Sequence, residues 1–248
     1  MLACSHAAFL VFAFGQVTWI LLWPATMAWV AYRRNRRFVA GAWFGVLVAV
    51  KPMFAISALV LSWPVWITAG VVSLSITVIA MTVTGWTAWS QWIAIGSGIS
   101  WIEDPLSASV WGLLARFEHV SRLRDLTMGS VVLGAVLACW ASWRALSVTD
   151  PDRRLVCAWL LQATIAPLGW IYYLPLAFGP AAASWRGLFA FWAAFCLLSV
   201  PLGLVEPKPF PMLMGLIYPL ALLCAWAAWG GPTRQETDVR LSTKTYTF

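Results

Sequence analysis

From residue 38 to residue 102 the chain carries a single formally charged side chain, that of Lys51. A stretch of this length with a single charge suits a bilayer, whose hydrocarbon core is crossed by about 20 apolar residues in a helix. The whole chain shares this character, with 62% hydrophobic and 10% charged residues among 248. We therefore predict an all-α, polytopic transmembrane protein with one membrane domain. The clearest spans are predicted over residues 15–31, 64–84, 126–143, 187–205 and 212–230.

The net charge of +7 comes from basic residues that lie in short clusters between the apolar runs. One cluster occupies residues 33–37, a second is Arg153-Arg154, and a third lies in the tail. Nucleic-acid binding requires a continuous basic face, so this arrangement excludes it, whereas it is typical of cytoplasmic loops. We expect a multi-pass protein of the plasma membrane, in contact with the lipid bilayer. Residues 1–230 would form the membrane domain and residues 231–248 a cytoplasmic tail.

Two longer apolar segments are interrupted near proline. Residues 38–62 are broken at Lys51-Pro52, and residues 155–184 are broken around 167–170. Proline removes a helix hydrogen bond and bends or ends a helix. Each segment is therefore either one kinked crossing or a pair of short helices that enters the membrane and returns.

The distribution of basic residues restricts these alternatives without deciding between them. With residues 33–37 in the cytoplasm and Lys51 left uncounted, two returning segments place 11 Lys and Arg inside and 4 outside. Two single crossings give the same numbers, whereas one of each gives 8 and 7, which the positive-inside rule disfavours. Each arm of a returning segment has about 13 residues and would be only about 20 Å long as a helix, which is shorter than the hydrocarbon core of about 30 Å. Such short arms occur only where the turn between them lines a protein cavity.

The cysteines and the other metal-binding residue types give no sign of a metal centre. The five cysteines lack CxxC spacing and four of them fall in predicted spans, where thiols act as small apolar side chains. His, Cys, Asp and Glu form no cluster in the sequence. We expect neither a metal nor a cofactor.

Four polar features are not explained by apolar packing alone. They are Gly15-Gln16, Lys51, an amphipathic aromatic segment over residues 85–125, and the stretch APLGWIYYLP at residues 166–175. If both broken segments return, all four features reach the same extracytoplasmic side, and residues 85–125 form an external amphipathic loop. If the segments are single crossings, the features are divided between the two sides.

Four stretches spread over nearly the whole chain are GQVTWILL, RRNRRFVAGAWFGVLVAVKP, SVWGLLARF and PLGWIYYLP. Their order resembles that in glycosyltransferase family 87, the polyprenyl-phosphate-mannose-dependent α-1,2-mannosyltransferase-like enzymes of the GT-C superfamily. The resemblance is to the later part of the family pattern. It implies a GT-C-like fold whose reactive groups share the outer face, which favours two returning segments.

The chain departs from the family pattern at three places. The family's Asn-Gln before a serine corresponds to Ser107-Ala108, which leaves Ser109, and a histidine pair is replaced by Tyr172 and Tyr173. The family's catalytic aspartate lies upstream of the Gly-Gln pair, so the resemblance predicts an N-terminally truncated domain. A fragment, a loss of catalysis or a partner that supplies the missing helices would each explain this.

Two sets of residues are candidates for the acid–base and phosphate chemistry of sugar transfer. Glu103 and Asp104 are weak candidates for the catalytic base, although Asp104 before a proline also fits a helix start. Lys51 and Arg116 are candidate contacts to a lipid phosphate. The alternatives are a lysine that extends to the interface as a topological marker and an arginine that stabilises its loop.

The remaining candidate substrate contacts are neutral. Gln16 would hydrogen-bond a sugar hydroxyl or tie two helices together. The resemblance places Ser109 at the remnant of the family's serine motif. Trp170, Tyr172 and Tyr173 would offer an aromatic platform to a sugar or acceptor lipid, or anchor the chain at the interface.

The function predicted is that of a hexosyltransferase, and the resemblance implies mannose. It would move a sugar from a polyprenyl-phosphate donor to a lipid or glycan acceptor on the outer face of the plasma membrane. The alternatives are an inactive fragment or subunit of such an enzyme, lacking the catalytic acid, and a small polytopic transporter. A transporter predicts an internal repeat, and the surroundings of the two breaks are not similar.

Overall fold

The computed structural model describes residues 18–97, 109–112, 114, 127–166, 175–181, 183, 223, 225 and 226. These residues form helices and contain no strand, which confirms the predicted all-α class. The α-helices are α1 (Thr18–Arg33), α2 (Arg37–Val50), α3 (Ala55–Leu59), α4 (Trp63–Thr84), α5 (Trp86–Ser97), α6 (Thr127–Ser147), α7 (Pro151–Ile165) and α8 (Phe178–Ala181). A 3₁₀ helix, Pro52–Phe54, lies between α2 and α3.

Helices α1 and α2 are joined by a tight basic turn. Asn35 adopts φ 58°, in the left-handed region that asparagine tolerates better than most residues. The Arg36 N–H donates to the Ala31 carbonyl at 2.9 Å, and the Arg37 guanidinium lies 4.4 Å from the centre of the Tyr32 ring. These contacts fix the reversal of the chain, so α2 runs back alongside α1.

The first proline-broken segment, residues 38–62, folds back on itself. Helix α2 ends at Val50, Lys51 adopts an extended conformation (φ −142°, ψ 101°), and Pro52 begins the 3₁₀ helix. Eleven residues after Lys51, the Ser62 hydroxyl accepts a hydrogen bond from Arg37 Nη1 at 3.2 Å. Since Arg37 begins α2, the segment ends beside the point where it started. The chain therefore folds back after Lys51-Pro52.

Helix α4 then runs parallel to α2 and approaches it closely at two glycines. A Cβ atom placed on Gly41 would lie 2.6 Å from the Val65 carbonyl oxygen. One on Gly45 would lie 2.6 Å from Val72 Cβ and 3.0 Å from the Ala69 carbonyl oxygen. The contacts advance in the same direction along both helices, which establishes that they are parallel.

The two ends of the second broken segment also lie together. Asp152, in the first turn of α7, accepts a hydrogen bond from Trp29 Nε1 at 2.7 Å and lies 3.7 Å from Arg33 Nε. A Cβ atom placed on Gly179, in α8, would lie 2.9 Å from Cε3 of the same Trp29 ring. Residues 178–181 therefore return to the end of the bundle where α7 begins, as the double-hairpin alternative predicts.

The bundle consequently has two distinct ends. We call one the basic end, because seven of the eight Lys and Arg in the described residues lie there. They are Arg33, Arg34, Arg36, Arg37, Arg144, Arg153 and Arg154. We call the other the far end, which contains the Lys51-Pro52 turn and the last turn of α7.

One described helix is long and apolar enough to cross a membrane. This is α4, with 22 residues and a mean hydropathy of 1.9 over its most apolar window. Most of its surface is exposed, and Leu74, Ile79 and Val83 are each more than 60% accessible. The spans predicted over residues 187–205 and 212–230 lie outside the described residues, apart from three positions in the second, as do most of residues 98–126. Within the predicted external loop, residues 86–97 form α5.

Candidate functional site at the far end

The site builds on the turn between α2 and the 3₁₀ helix, which carries Lys51. The Lys51 N–H donates to the Leu47 carbonyl at 2.9 Å, and its carbonyl accepts from the Phe54 N–H at 3.0 Å. The backbone is thus held on both sides of the break, while the side chain is only partly buried. Among the described residues, Lys51 is the one Lys or Arg at the far end.

Helix α7 packs against this turn through the side chain of Trp159. The Trp159 ring stacks on Phe44 of α2, with the ring centres 5.7 Å apart. It also meets Phe54 of the 3₁₀ helix edge-on, at 5.6 Å. All three side chains are at least 98% buried, so one ring of α7 packs against the chain on both sides of Lys51.

A buried amide lies one helical turn beyond Trp159. Gln162 is 1% exposed, and its Nε2 donates a hydrogen bond to Met53 Sδ at 3.4 Å. Two residues further, Thr164 Oγ1 accepts from Trp226 Nε1 at 3.0 Å. Sequence reasoning missed Gln162. The available signal was a lone amide within the apolar run WLLQATI, where a polar side chain requires a partner.

Ser109 is brought to the same end of α7. Its Oγ accepts a hydrogen bond from the Gly112 N–H at 3.0 Å, and the Ser109 side chain is fully buried. The neighbouring Trp111 Nε1 donates to the Ile165 carbonyl, the last of α7, at 2.9 Å. Lys51 and Ser109 are therefore both next to the final turn of α7. The Ser109 hydroxyl starts a helical turn in the manner of an N-cap.

The other predicted site residues lie outside the described residues. They are Gln16, Glu103, Asp104, Arg116, Trp170, Tyr172 and Tyr173. The carboxylates within the described ranges are those of Asp150 and Asp152, and both are at the basic end. The Asp150 side chain caps α7 by accepting from the Arg153 N–H, and Asp152 binds Trp29. Neither carboxylate is available to the far end.

The described part of the far end has a partly buried cation, Lys51, and two buried polar side chains, Gln162 and Ser109, that already form hydrogen bonds within the protein. It contains no group of three or more metal-ligating side chains among the residues that the structure describes.

The described residues form an all-helical bundle that includes one helix long and apolar enough to cross a membrane. Residues 1–170 match the family model described as Glycosyltransferase family 87. Because the match covers more than half of the chain, the chain belongs to that family, which indicates glycosyltransferase activity acting on a sugar donor and an acceptor. No curated protein and no solved structure matches the chain.

The match confirms the predicted family but differs from the prediction in the part that is matched. The matched residues are the N-terminal part of the chain, and the expected restriction to the later part of the family is not supported. Gln16, Lys51, Ser109 and Arg116 lie within the match. Tyr172 and Tyr173 lie beyond it.

Proposed function

We propose that this chain is a multi-pass glycosyltransferase of the plasma membrane that transfers mannose from a polyprenyl-phosphate donor. The acceptor would be a lipid or glycan hydroxyl on the outer face. The observation that carries the proposal is the position of Lys51, which stands at a broken helix at the end of the bundle opposite the arginines.

The partition of charge supports an orientation. Loops rich in Lys and Arg remain in the cytoplasm, so the basic end would face inward and the far end outward. The count of basic residues in the sequence is the same for two returning segments and for two single crossings. The Arg37–Ser62 hydrogen bond and the Trp29 contacts favour the returning form, which gathers the polar groups on one side.

The dimensions of α4 support a membrane crossing. A helix of 22 residues is about 33 Å long, close to the thickness of a hydrocarbon core. Exposed tryptophans stand near both of its ends, Trp63 and Trp66 at the basic end and Trp86 and Trp92 beyond the other. Indole rings concentrate at the two membrane interfaces, so α4 has the pattern of a spanning helix.

Lys51 would bind the phosphate of the donor. A lysine within a membrane domain is costly unless its ammonium meets an anion or water, which makes it a candidate for function. The proline after it ends α2 and turns the chain, so Lys51 stands at the end of the bundle where a lipid headgroup would lie. A phosphate held there would be released as polyprenyl phosphate when the sugar transfers.

The transfer itself would be a displacement at the anomeric carbon. The acceptor oxygen forms a bond to that carbon as its bond to the phosphate oxygen breaks, and a carboxylate takes the acceptor proton. Lys51 would stabilise the charge that builds on the departing phosphate. Glu103 and Asp104 remain weak proposals for the base, since the described part of the far end holds no carboxylate.

The remaining contacts are proposed from the family pattern. Arg116 would share the phosphate with Lys51, and Gln16 would bind a sugar hydroxyl. Ser109 would order the loop beside them. The aromatic side chains Trp170, Tyr172 and Tyr173 would hold the sugar or the acceptor.

The orientation is tested by labelling single cysteines with a membrane-impermeant maleimide in intact cells. A cysteine at Trp92 is expected to react from outside, and one at Arg36 only after permeabilisation. The chain with its own cysteines replaced by alanine is the control. Reaction of Arg36→Cys from outside would reverse the orientation and remove the proposed site from the donor side.

The role of Lys51 is tested by sugar transfer from polyprenyl-phosphate mannose in isolated membranes. Lys51→Met is expected to raise the donor KM by about 10- to 100-fold, because a hydrogen bond to a charged group contributes about 1.5–3 kcal/mol. Lys51→Arg keeps the charge and should lose less. Arg36→Met, an exposed charge at the opposite end, is the matched control and should leave the donor KM unchanged.

An unchanged donor KM in Lys51→Met would contradict the phosphate role. Absence of transfer by the unaltered chain would instead favour the second candidate, a non-catalytic fragment or subunit of such an enzyme.

A further inference from the structure

We propose that Gln162 is a positioning residue that fixes the Lys51-Pro52 turn through its hydrogen bond to Met53. The inference rests on the proposed function of Lys51 as the phosphate contact. It concerns a residue to which the resemblance assigns no role and which belongs to a different helix.

The Gln162 amide lies in the apolar interior of the bundle. Gln162 is 99% buried in α7 and follows two leucines that are also buried. Placing an amide in apolar surroundings is unfavourable unless it forms a hydrogen bond. The contact that its N–H makes is with Met53 Sδ, in the 3₁₀ helix directly after Lys51. The amide is therefore directed at the turn.

The backbone hydrogen bonds of the Lys51-Pro52 turn are all local. The Lys51 backbone is held by hydrogen bonds to Leu47 and Phe54, both within the same hairpin. These local bonds move with the hairpin and cannot fix where its tip lies relative to the rest of the bundle. A contact from a different helix is required to do that.

Helix α7 supplies this contact from one of its faces. Trp159 and Gln162 are three residues apart and lie on the same side of the helix. Trp159 packs against Phe44 and Phe54, and Gln162 binds Met53. The ring contacts bury apolar surface, and the hydrogen bond adds a contact with a preferred direction between α7 and the turn. Gln162 thus sets the height and rotation of the turn, and with them the position of the Lys51 ammonium.

The experiment measures the position of the turn without relying on catalysis. Lys51→Cys is introduced into the full chain with its own cysteines replaced by alanine, and its rate of reaction with an impermeant maleimide is followed in membranes. Gln162→Leu keeps the volume and removes the N–H donor. It is expected to change the labelling rate by about 2- to 10-fold, the effect of losing one neutral hydrogen bond.

Thr164→Val is the matched control. It lies two residues further along α7 and loses the hydrogen bond to Trp226, which does not involve the turn. It should destabilise the protein to a similar degree while leaving the labelling rate of the cysteine introduced at position 51 unchanged. Met53→Leu removes the acceptor from a partly exposed residue, so it provides the same test if Gln162→Leu fails to fold. The double variant should change the rate no more than either single one.

The second readout applies to the chain with Lys51 intact. Gln162→Leu is expected to raise the donor KM about 2- to 10-fold and to leave the acceptor KM unchanged, a split that general loss of stability would not produce. Equal labelling rates in Gln162→Leu, Met53→Leu and Thr164→Val would overturn the inference. A labelling change in a chain that transfers no sugar would uphold the positioning and contradict the proposed function alone.

Discussion

Helices α2 and α4 approach each other closely at Gly41, and replacing that glycine tests their parallel arrangement. A Cβ at Gly41 would lie 2.6 Å from the Val65 carbonyl oxygen and 2.7 Å from Thr68 Cβ. The oxygen belongs to the backbone of α4, so no side-chain rotation relieves the clash. The helices would have to separate by about 0.8 Å to restore an ordinary contact of 3.4 Å.

The magnitude follows from a comparison of two glycines in the same pair of helices. Gly70, in α4, has no atom within 4 Å of its added Cβ. Alanine is a better helix former than glycine by about 1 kcal/mol at either position. That gain cancels when Gly41→Ala is compared with Gly70→Ala. The remaining difference is the cost of overpacking, about 1–3 kcal/mol, with Gly41→Ala the less stable variant.

The measurement is thermal unfolding of both purified variants and the unaltered chain in the same detergent. For a chain of this length about 1 kcal/mol corresponds to about 2–4 °C in Tm. Gly41→Ala should therefore unfold at least about 2 °C below Gly70→Ala. Equal midpoints, or a lower midpoint for Gly70→Ala, would show that α2 and α4 do not approach at Gly41 and would remove the evidence that they run parallel.

The same unfolding assay checks two further contacts. Trp159→Ala should cost about 3–5 kcal/mol because it empties the space between two rings, whereas Trp63→Ala, at a side chain that is 63% exposed, should cost about 0.5 kcal/mol or less. Comparable losses in these two variants would be inconsistent with the buried position of Trp159. Trp29→Phe should cost about 1.5–3 kcal/mol, since its N–H binds the charged Asp152 at 2.7 Å. Arg33→Ala, whose side chain is 56% exposed, should stay within about 1 kcal/mol, and a larger loss there than in Trp29→Phe would assign the main contact to the ion pair.

The break in the first long segment was predictable, because proline acts on its own helix. Pro52 lacks an N–H, and α2 ends two residues before it. The same rule has an exception in α1, where the helix continues through Pro24. A proline therefore indicates where a helix is weakened, and the neighbouring contacts decide whether it ends.

The direction of the chain after the break was not predictable from local properties. Two returning segments and two single crossings give the same distribution of basic residues. The decision came from contacts between residues far apart in sequence, such as Arg37 with Ser62 and Trp29 with Gly179. Lys51 was identified as a candidate because a charge in an apolar run is visible at once. Gln162 was missed because an isolated amide has no significance until its partner, Met53, is known.

Local properties of the residues were enough to predict that this chain is helical, largely apolar and weakened at Lys51-Pro52, and the order of its motifs indicated the family. Each of these follows from the hydrophobicity, the backbone chemistry or the order of residues along the chain. The packing of the helices was needed to show that the first segment folds back and that Lys51 and Ser109 lie at the same end of α7. The reason is that packing depends on pairs of surfaces, such as the one joining Gly41 to Val65, and a single stretch of sequence specifies only one member of each pair.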